Sequence, residues 1–168
     1  LGRIDGRGNI VPEAEKGAVL NARILWAFSA AYRVLNKAEY LEAATRAKDY
    51  FIAHFIDKQH GGVFWSLDAQ GQPLDTKKQT YAMGFAIYGL SEYARATGSD
   101  EALQYAQSLY NDIENHAFDK QNNGYVEALT RSWQPIADMR LSDKDENGSR
   151  TMNTHLHILE PYTNLYRV

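Results

Sequence analysis

The side chains best able to do chemistry cluster in residues 150–166, which read Arg-Thr-Met-Asn-Thr-His-Leu-His-Ile-Leu-Glu-Pro-Tyr-Thr-Asn-Leu-Tyr. On a helix, Asn153 and His157 stand one turn apart and Glu160 one turn further. An amide, an imidazole and a carboxylate then address one space. Such a row suits hydroxyl recognition and proton handling near neutral pH. A polar cluster satisfied within the core is the alternative. His155 and His157 diverge by about 200° around a helix, so they cannot chelate one ion together, and no metal site is expected. Pro161 lacks the donor for residue 157 and predicts a kink just below His157.

Arg23 is the second anomaly, because it lies among Ala22, Ile24, Leu25 and Trp26 on a segment suited to burial, where a charge needs a partner. Two readings are open for it. Its planar fork could hold substrate oxygens or a developing enediolate charge, or it could pair structurally with a loop carboxylate. Tyr81 shares a helical face with Phe85 and Tyr88, a stripe that reads equally well as core. His54 and His116 recur near helix ends and suggest packing. His60, Trp65 and Trp133 fall on loops, where aromatics stack on sugars or on one another. The acidic run in 141–148 lacks a full calcium-loop pattern.

These residues must be positioned by a repeat. Glu39 to Asp57-Lys-Gln-His-Gly-Gly recurs 62 positions later as Glu101 to Asp119-Lys-Gln-Asn-Asn-Gly, and Pro73-Leu74 recurs as Pro135-Ile136. Each unit holds two kinds of helix. Segment 38–56 is one-sided, with Leu41, Ala44, Ala47, Phe51 and Phe55 at helical spacing beside charged positions; 18–35 and 81–96 are apolar on almost every face, which predicts enclosure by neighbours. The expected order is enclosed helix 18–35, outer helix 38–56, loop 57–76, enclosed helix 77–96, outer helix 100–116, loop 117–149 and enclosed helix 150–167. Alternating enclosed and amphipathic helices predict an all-α chain in two concentric rings, a partial (α/α)6 barrel with extended pieces between helix pairs. Tetratricopeptide units, at about 34 residues, are too short for these loops.

Composition agrees with one globular domain. The chain has 168 residues, 44% hydrophobic, with a formal charge of −3 and no block of like charge, which argues against nucleic acid as a partner. No apolar run approaches the roughly 20 residues needed to span a bilayer. Lack of cysteine excludes disulfides, thiolate zinc sites and a cysteine nucleophile. It leaves the compartment open, and cytoplasm is the expectation; the residues say nothing of oligomeric state. Residues 1–8 align with Phe64-Trp-Ser-Leu-Asp-Ala-Gln-Gly, so the chain is expected to begin inside a loop and to end on an enclosed helix at Val168. Residues 1–168 then form a single incomplete toroid domain, since six hairpins of about 60 residues would need more than twice this length.

Three strings, residues 16–32 (Lys-Gly-Ala-Val-Leu-Asn-Ala-Arg-Ile-Leu-Trp-Ala-Phe-Ser-Ala-Ala-Tyr), 79–93 (Gln-Thr-Tyr-Ala-Met-Gly-Phe-Ala-Ile-Tyr-Gly-Leu-Ser-Glu-Tyr) and 152–160 (Met-Asn-Thr-His-Leu-His-Ile-Leu-Glu), resemble the N-acylglucosamine 2-epimerase family. The branch acting on β-1,4-linked disaccharides such as cellobiose is the most similar. The resemblance implies an (α/α)6 barrel, a sugar substrate and no metal or organic cofactor. By position it implies that Arg23, Tyr81, Asp145 and Asn153 contact the substrate, with Asp143 the alternative to Asp145, and that His157 opens and closes the sugar ring. The two histidines that work at C2 in the family, with their glutamate and tryptophans, match nothing here, so the chain alone is expected to be inactive. Other members act on N-acetylglucosamine or interconvert aldoses and ketoses. A non-catalytic carbohydrate-binding toroid is a further alternative, and so is glycoside hydrolysis, although no opposed carboxylate pair is marked out for it.

Overall fold

A computed structural model describes residues 3–168; Leu1 and Gly2, the start of the loop alignment proposed above, lie outside the described residues. Five helices dominate: α1 (Ala18–Leu35), α2 (Ala38–Tyr50, continued by a π-helical turn over Phe51–Phe55), α3 (Thr80–Thr97), α4 (Asp100–His116) and α5 (Met152–Tyr166). Their ends follow local chemistry. Asn36 and Gly98 adopt left-handed conformations that stop α1 and α3, while Ser99 and Thr151 accept from the backbone N–H three residues on and start α4 and α5. The expected spans hold to within a few residues, and α5 stays helical through Pro161.

Among the described residues, nine two- or three-residue strands lie before α1, between α2 and α3 and between α4 and α5: β1 (Arg3–Ile4), β2 (Ile10–Val11), β3 (Lys16–Gly17), β4 (Ser66–Leu67), β5 (Pro73–Asp75), β6 (Lys78–Gln79), β7 (Phe118–Asp119), β8 (Gly124–Tyr125) and β9 (Ala128–Leu129). Their pairing reproduces the 62-residue repeat. Lys16 faces Leu67 between β3 and β4, and Lys78 faces Leu129 between β6 and β9. Ile56 bridges to Val63 as Phe118 pairs with Tyr125, and Leu67 faces Pro73 as Leu129 bridges to Pro135. The turns of β1–β2 and β4–β5 match as well. Asp5 and Asp68 each accept the backbone N–H four residues on, and Gly8 (φ 85°) and Gly71 (φ 86°) take the left-handed conformation those turns require.

Helix α3 is the centre of the molecule. It packs against α1 on one side and α5 on the other, with α4 behind it, and α2 backs α1. Almost every face of α3 is buried, including Met83, Ile87 and Leu90 at 0% exposure. Two glycines allow its close approach to both neighbours. A Cβ at Gly84 would sit 2.5 Å from the carbonyl oxygen of His157, which Pro161 leaves without a helical donor, and one at Gly89 would sit 2.7 Å from the carbonyl of Ala22. Toward the C-terminal ends of the helices, Arg33 of α1 donates to Glu92 (2.7 Å) and the Asn164 amide of α5 hydrogen-bonds Ser91 (2.9 Å), so polar ties also join the three helices.

The expectation of enclosure fails for α1. Only Ala18, Ala22, Leu25 and Ser29 are buried on it, whereas Leu20, Val34 and Leu35 are exposed. The same holds for α5, where Thr154, Ile158, Pro161 and Asn164 are buried but Met152, Leu156, Leu159 and Tyr166 are not. Each has α3 on one flank, and among the described residues no helix packs on its other flank. Among those residues, no helix is long and apolar enough to cross a membrane.

Candidate functional site

Helices α1, α3 and α5 deliver equivalent positions to one level. Arg23, Phe85 and His157 each stand five residues beyond the first residue of their helix. Together with Tyr81, Tyr88, Trp26 and Glu160 they line one cavity of 560 Å³. Three of the five residues singled out from sequence therefore meet here: Arg23, Tyr81 and His157. A wider hollow of 780 Å³ lies on the outer face of α2, but it draws its charged groups from a single helix and shows no convergence from several elements.

His157 is set by both neighbours. Its Nδ1 is 2.7 Å from Glu160 Oε2, and because a carboxylate only accepts, that nitrogen carries a proton. In the neutral ring Nε2 is then a free acceptor, the form required of a base. The Tyr81 and Phe85 rings lie 5.0 and 4.9 Å from the imidazole. Burial raises the Tyr81 phenol above its ordinary pKa, with Arg23 opposing and Glu160 adding to the shift; Tyr81 thus stays a neutral hydroxyl donor. Tyr88 is raised likewise by burial, then by Glu160 and Glu92.

Arg23 departs from the structural reading of its charge. Its helix face is exposed, and among the described residues it forms no ion pair; instead its guanidinium lies over the Phe85 ring, 5.6 Å from the centroid. The Trp65 ring shares a shallower groove with Arg23 and Leu20.

Asp145 and Asn153 stand apart from that cavity. They line a second hollow of 160 Å³ with Glu127, Arg140 and Thr151. Within it Asp145 accepts from the backbone N–H and the hydroxyl of Ser142, both at 2.8 Å, and so closes its own turn. Asp143 is exposed and reaches only Arg140, at 3.9 Å. Asn153 does not join His157 and Glu160 in one cavity, contrary to the row expected from spacing. It sits at the start of α5, where the 137–149 loop arrives.

The remaining candidates pack. His54 stacks on Tyr50 (4.4 Å) and His116 on Trp133 (4.3 Å), while the Trp133 indole donates to the His60 carbonyl (2.7 Å). His155 faces away from His157, with Nδ1 2.7 Å from the Thr151 carbonyl and Nε2 accepting from Tyr125 N–H (3.0 Å). Sequence reasoning missed Phe85 as the contact shared by Arg23, Tyr81 and His157. The signal was the repeat itself, which sets Phe85 62 positions after Arg23.

A family model for N-acylglucosamine 2-epimerase (GlcNAc 2-epimerase) matches residues 1–161. The chain belongs to the N-acylglucosamine 2-epimerase family. It is 68% identical to a cellobiose 2-epimerase of Bacteroides fragilis over 99% of its own length and 43% of that protein's. A Ruminococcus albus cellobiose 2-epimerase is 43% identical over 92% of the chain and 39% of the relative. Among solved structures, the cellobiose 2-epimerase of Bacillus thermoamylovorans superposes with a TM-score of 0.95 at 44% identity, over 99% of this chain and 43% of that one. The chain thus spans less than half the length of these epimerase-family relatives.

Proposed function

We propose that the chain supplies one side of the sugar cradle of a cellobiose 2-epimerase, as the first part of an (α/α)6 ring and a single incomplete domain. The observation that carries this reading is the Arg23 guanidinium, without an ion pair among the described residues, facing the same cavity as Tyr81 and the His157–Glu160 pair. The substrate is a β-1,4-linked disaccharide whose reducing-end glucose enters the cavity.

Epimerisation at C2 starts with ring opening. His157, its Nδ1–H fixed by Glu160, takes the anomeric hydroxyl proton at Nε2 as the C1–O5 bond breaks and passes it to the released O5; closure runs the same transfer in reverse, from O5–H back to O1. The open-chain aldehyde makes its C2 proton weakly acidic. Removing it puts negative charge on the former carbonyl oxygen, where the Arg23 donors and the Tyr81 hydroxyl stabilise the enediolate. Inversion then needs proton transfer on both faces of that planar intermediate. The cavity offers one imidazole, so in this proposal the C2 acid and base lie in the part of the relatives that the chain does not span. Asn153 and Asp145, lining the neighbouring hollow, would contact hydroxyls at the edge of the sugar. The mechanism uses no metal or organic cofactor.

Isotope-resolved NMR of the 168-residue chain titrated with cellobiose tests the reading. Arg23, Tyr81 and His157 resonances are expected to shift together, with no turnover of the sugar. Shifts confined to other surfaces would sink the assignment, and conversion to glucosyl-mannose by the chain alone would show that the C2 acid and base lie within it.

A further inference from the structure

The repeat places Arg23, Phe85 and His157 at equivalent positions on α1, α3 and α5, and the middle one carries no polar atom. Its ring touches everything around it. The Arg23 guanidinium carbon is 5.6 Å from the Phe85 centroid, the Tyr81 ring 5.0 Å and the His157 ring 4.9 Å. Phe85 is 7% exposed, held on the most enclosed helix of the molecule.

We infer that Phe85 is a positioning residue, which holds the Arg23 guanidinium in the cavity that His157 also lines while leaving the guanidinium N–H groups free for substrate oxygens. A carboxylate could also have fixed this arginine, but it would have occupied two of the five donors and cancelled the charge that an enediolate needs. The face of an aromatic ring attracts the cation through its quadrupole and accepts none of those hydrogen bonds. Placing the ring on α3 also couples the two outer members of the row, because α1 and α5 each pack on α3. The inference rests on the sugar-binding reading of this cavity.

The test uses the 168-residue chain with two replacements at this position. Phe85→Met keeps an apolar side chain of similar volume without a π face, and pentafluorophenylalanine at position 85 keeps the shape while inverting the quadrupole. Proton NMR is expected to show the Arg23 δ-methylene and Nε–H shifted upfield by the Phe85 ring in the wild type and returned toward free-arginine values in both variants. Cellobiose affinity is expected to fall roughly two- to fivefold in both, as loss of an exposed cation–π contact implies. The fluorinated variant addresses folding, since a purely space-filling role would leave it unchanged. Arg23 shifts and cellobiose affinity within twofold of wild type in that variant would overturn the inference. Should cellobiose move no cavity resonance of the wild type, the sugar reading fails while the Arg23 shift still decides the positioning claim.

Discussion

The junctions in front of α3 and α5 are built from the same parts and end in different environments. In the first, Asp57, just beyond the π-helical turn that ends α2, pairs with Lys78 in β6 (2.9 Å), and both side chains are sealed, at 1% and 0% exposure. In the second, Asp119 pairs with Arg150, which also stands two residues before a helix, α5, but these side chains keep 22% and 32% exposure. The difference is the cover. Arg131 and Trp133, from the loop of the next unit, close over the first pair: Arg131 donates to Asp57 (2.7 Å) and Lys78 lies 5.7 Å from the Trp133 ring. A loop also reaches back over Lys16, which donates to the carbonyls of Asp68 and Ala69. Each unit therefore caps the one before it, as neighbour-dependent repeats do, and among the described residues no later loop covers the Asp119–Arg150 pair.

The sharpest way to break this comparison is to remove the two aspartates separately. Asp57→Ala strands a fully buried ammonium and should cost about 3–5 kcal/mol in chemical denaturation. Burial pushes the Asp57 carboxyl upward, but hydrogen bonds from Arg131 and Lys78 outweigh it and hold the group well below the usual carboxylate range. Its folded pKa is depressed, so its stabilisation is present above the ordinary carboxylate pKa of about 4 and fades as pH falls below it. Wild-type Tm should therefore drop more steeply than that of Asp57→Ala between about pH 5 and pH 2.

Gly84→Ala tests the tight side of α3 and should cost about 1–3 kcal/mol, because the new methyl meets the His157 backbone carbonyl rather than a movable side chain. Lowered affinity for cellobiose should accompany that loss, since the clash displaces His157. At the small end, Asp119→Ala should leave Tm nearly unchanged, as should Leu159→Ala on the open flank of α5, where about 0.5 kcal/mol or less is expected. A large loss from Asp119→Ala would show that cover by a following loop does not set the strength of these pairs.

Helix spans and the repeat were legible because they depend on local periodicity and turn chemistry; the 62-residue offset reappears in the strand registers. Enclosure was not. An apolar pattern around α1 says that both flanks suit burial, not that both are covered within this chain. Arg23, Tyr81 and His157 converge because each sits near the start of α1, α3 or α5, a placement that follows from register. Asn153 and Asp145 were harder, because their positions depend on the 137–149 loop, which the second unit lengthens beyond the repeat. Phe85 was read as part of a stripe, since spacing alone cannot distinguish an aromatic in the core from one beneath a cation.

The most direct measurement places this chain in the Bacteroides fragilis cellobiose 2-epimerase, in exchange for the matching 43% of that protein, and follows cellobiose in D2O by proton NMR. The account predicts glucosyl-mannose carrying deuterium at C2, and loss of that exchange in the Arg23→Met and His157→Ala chimeras. A folded chimera that leaves the C2 proton in place, or one that exchanges it equally well without Arg23 and His157, would contradict the account.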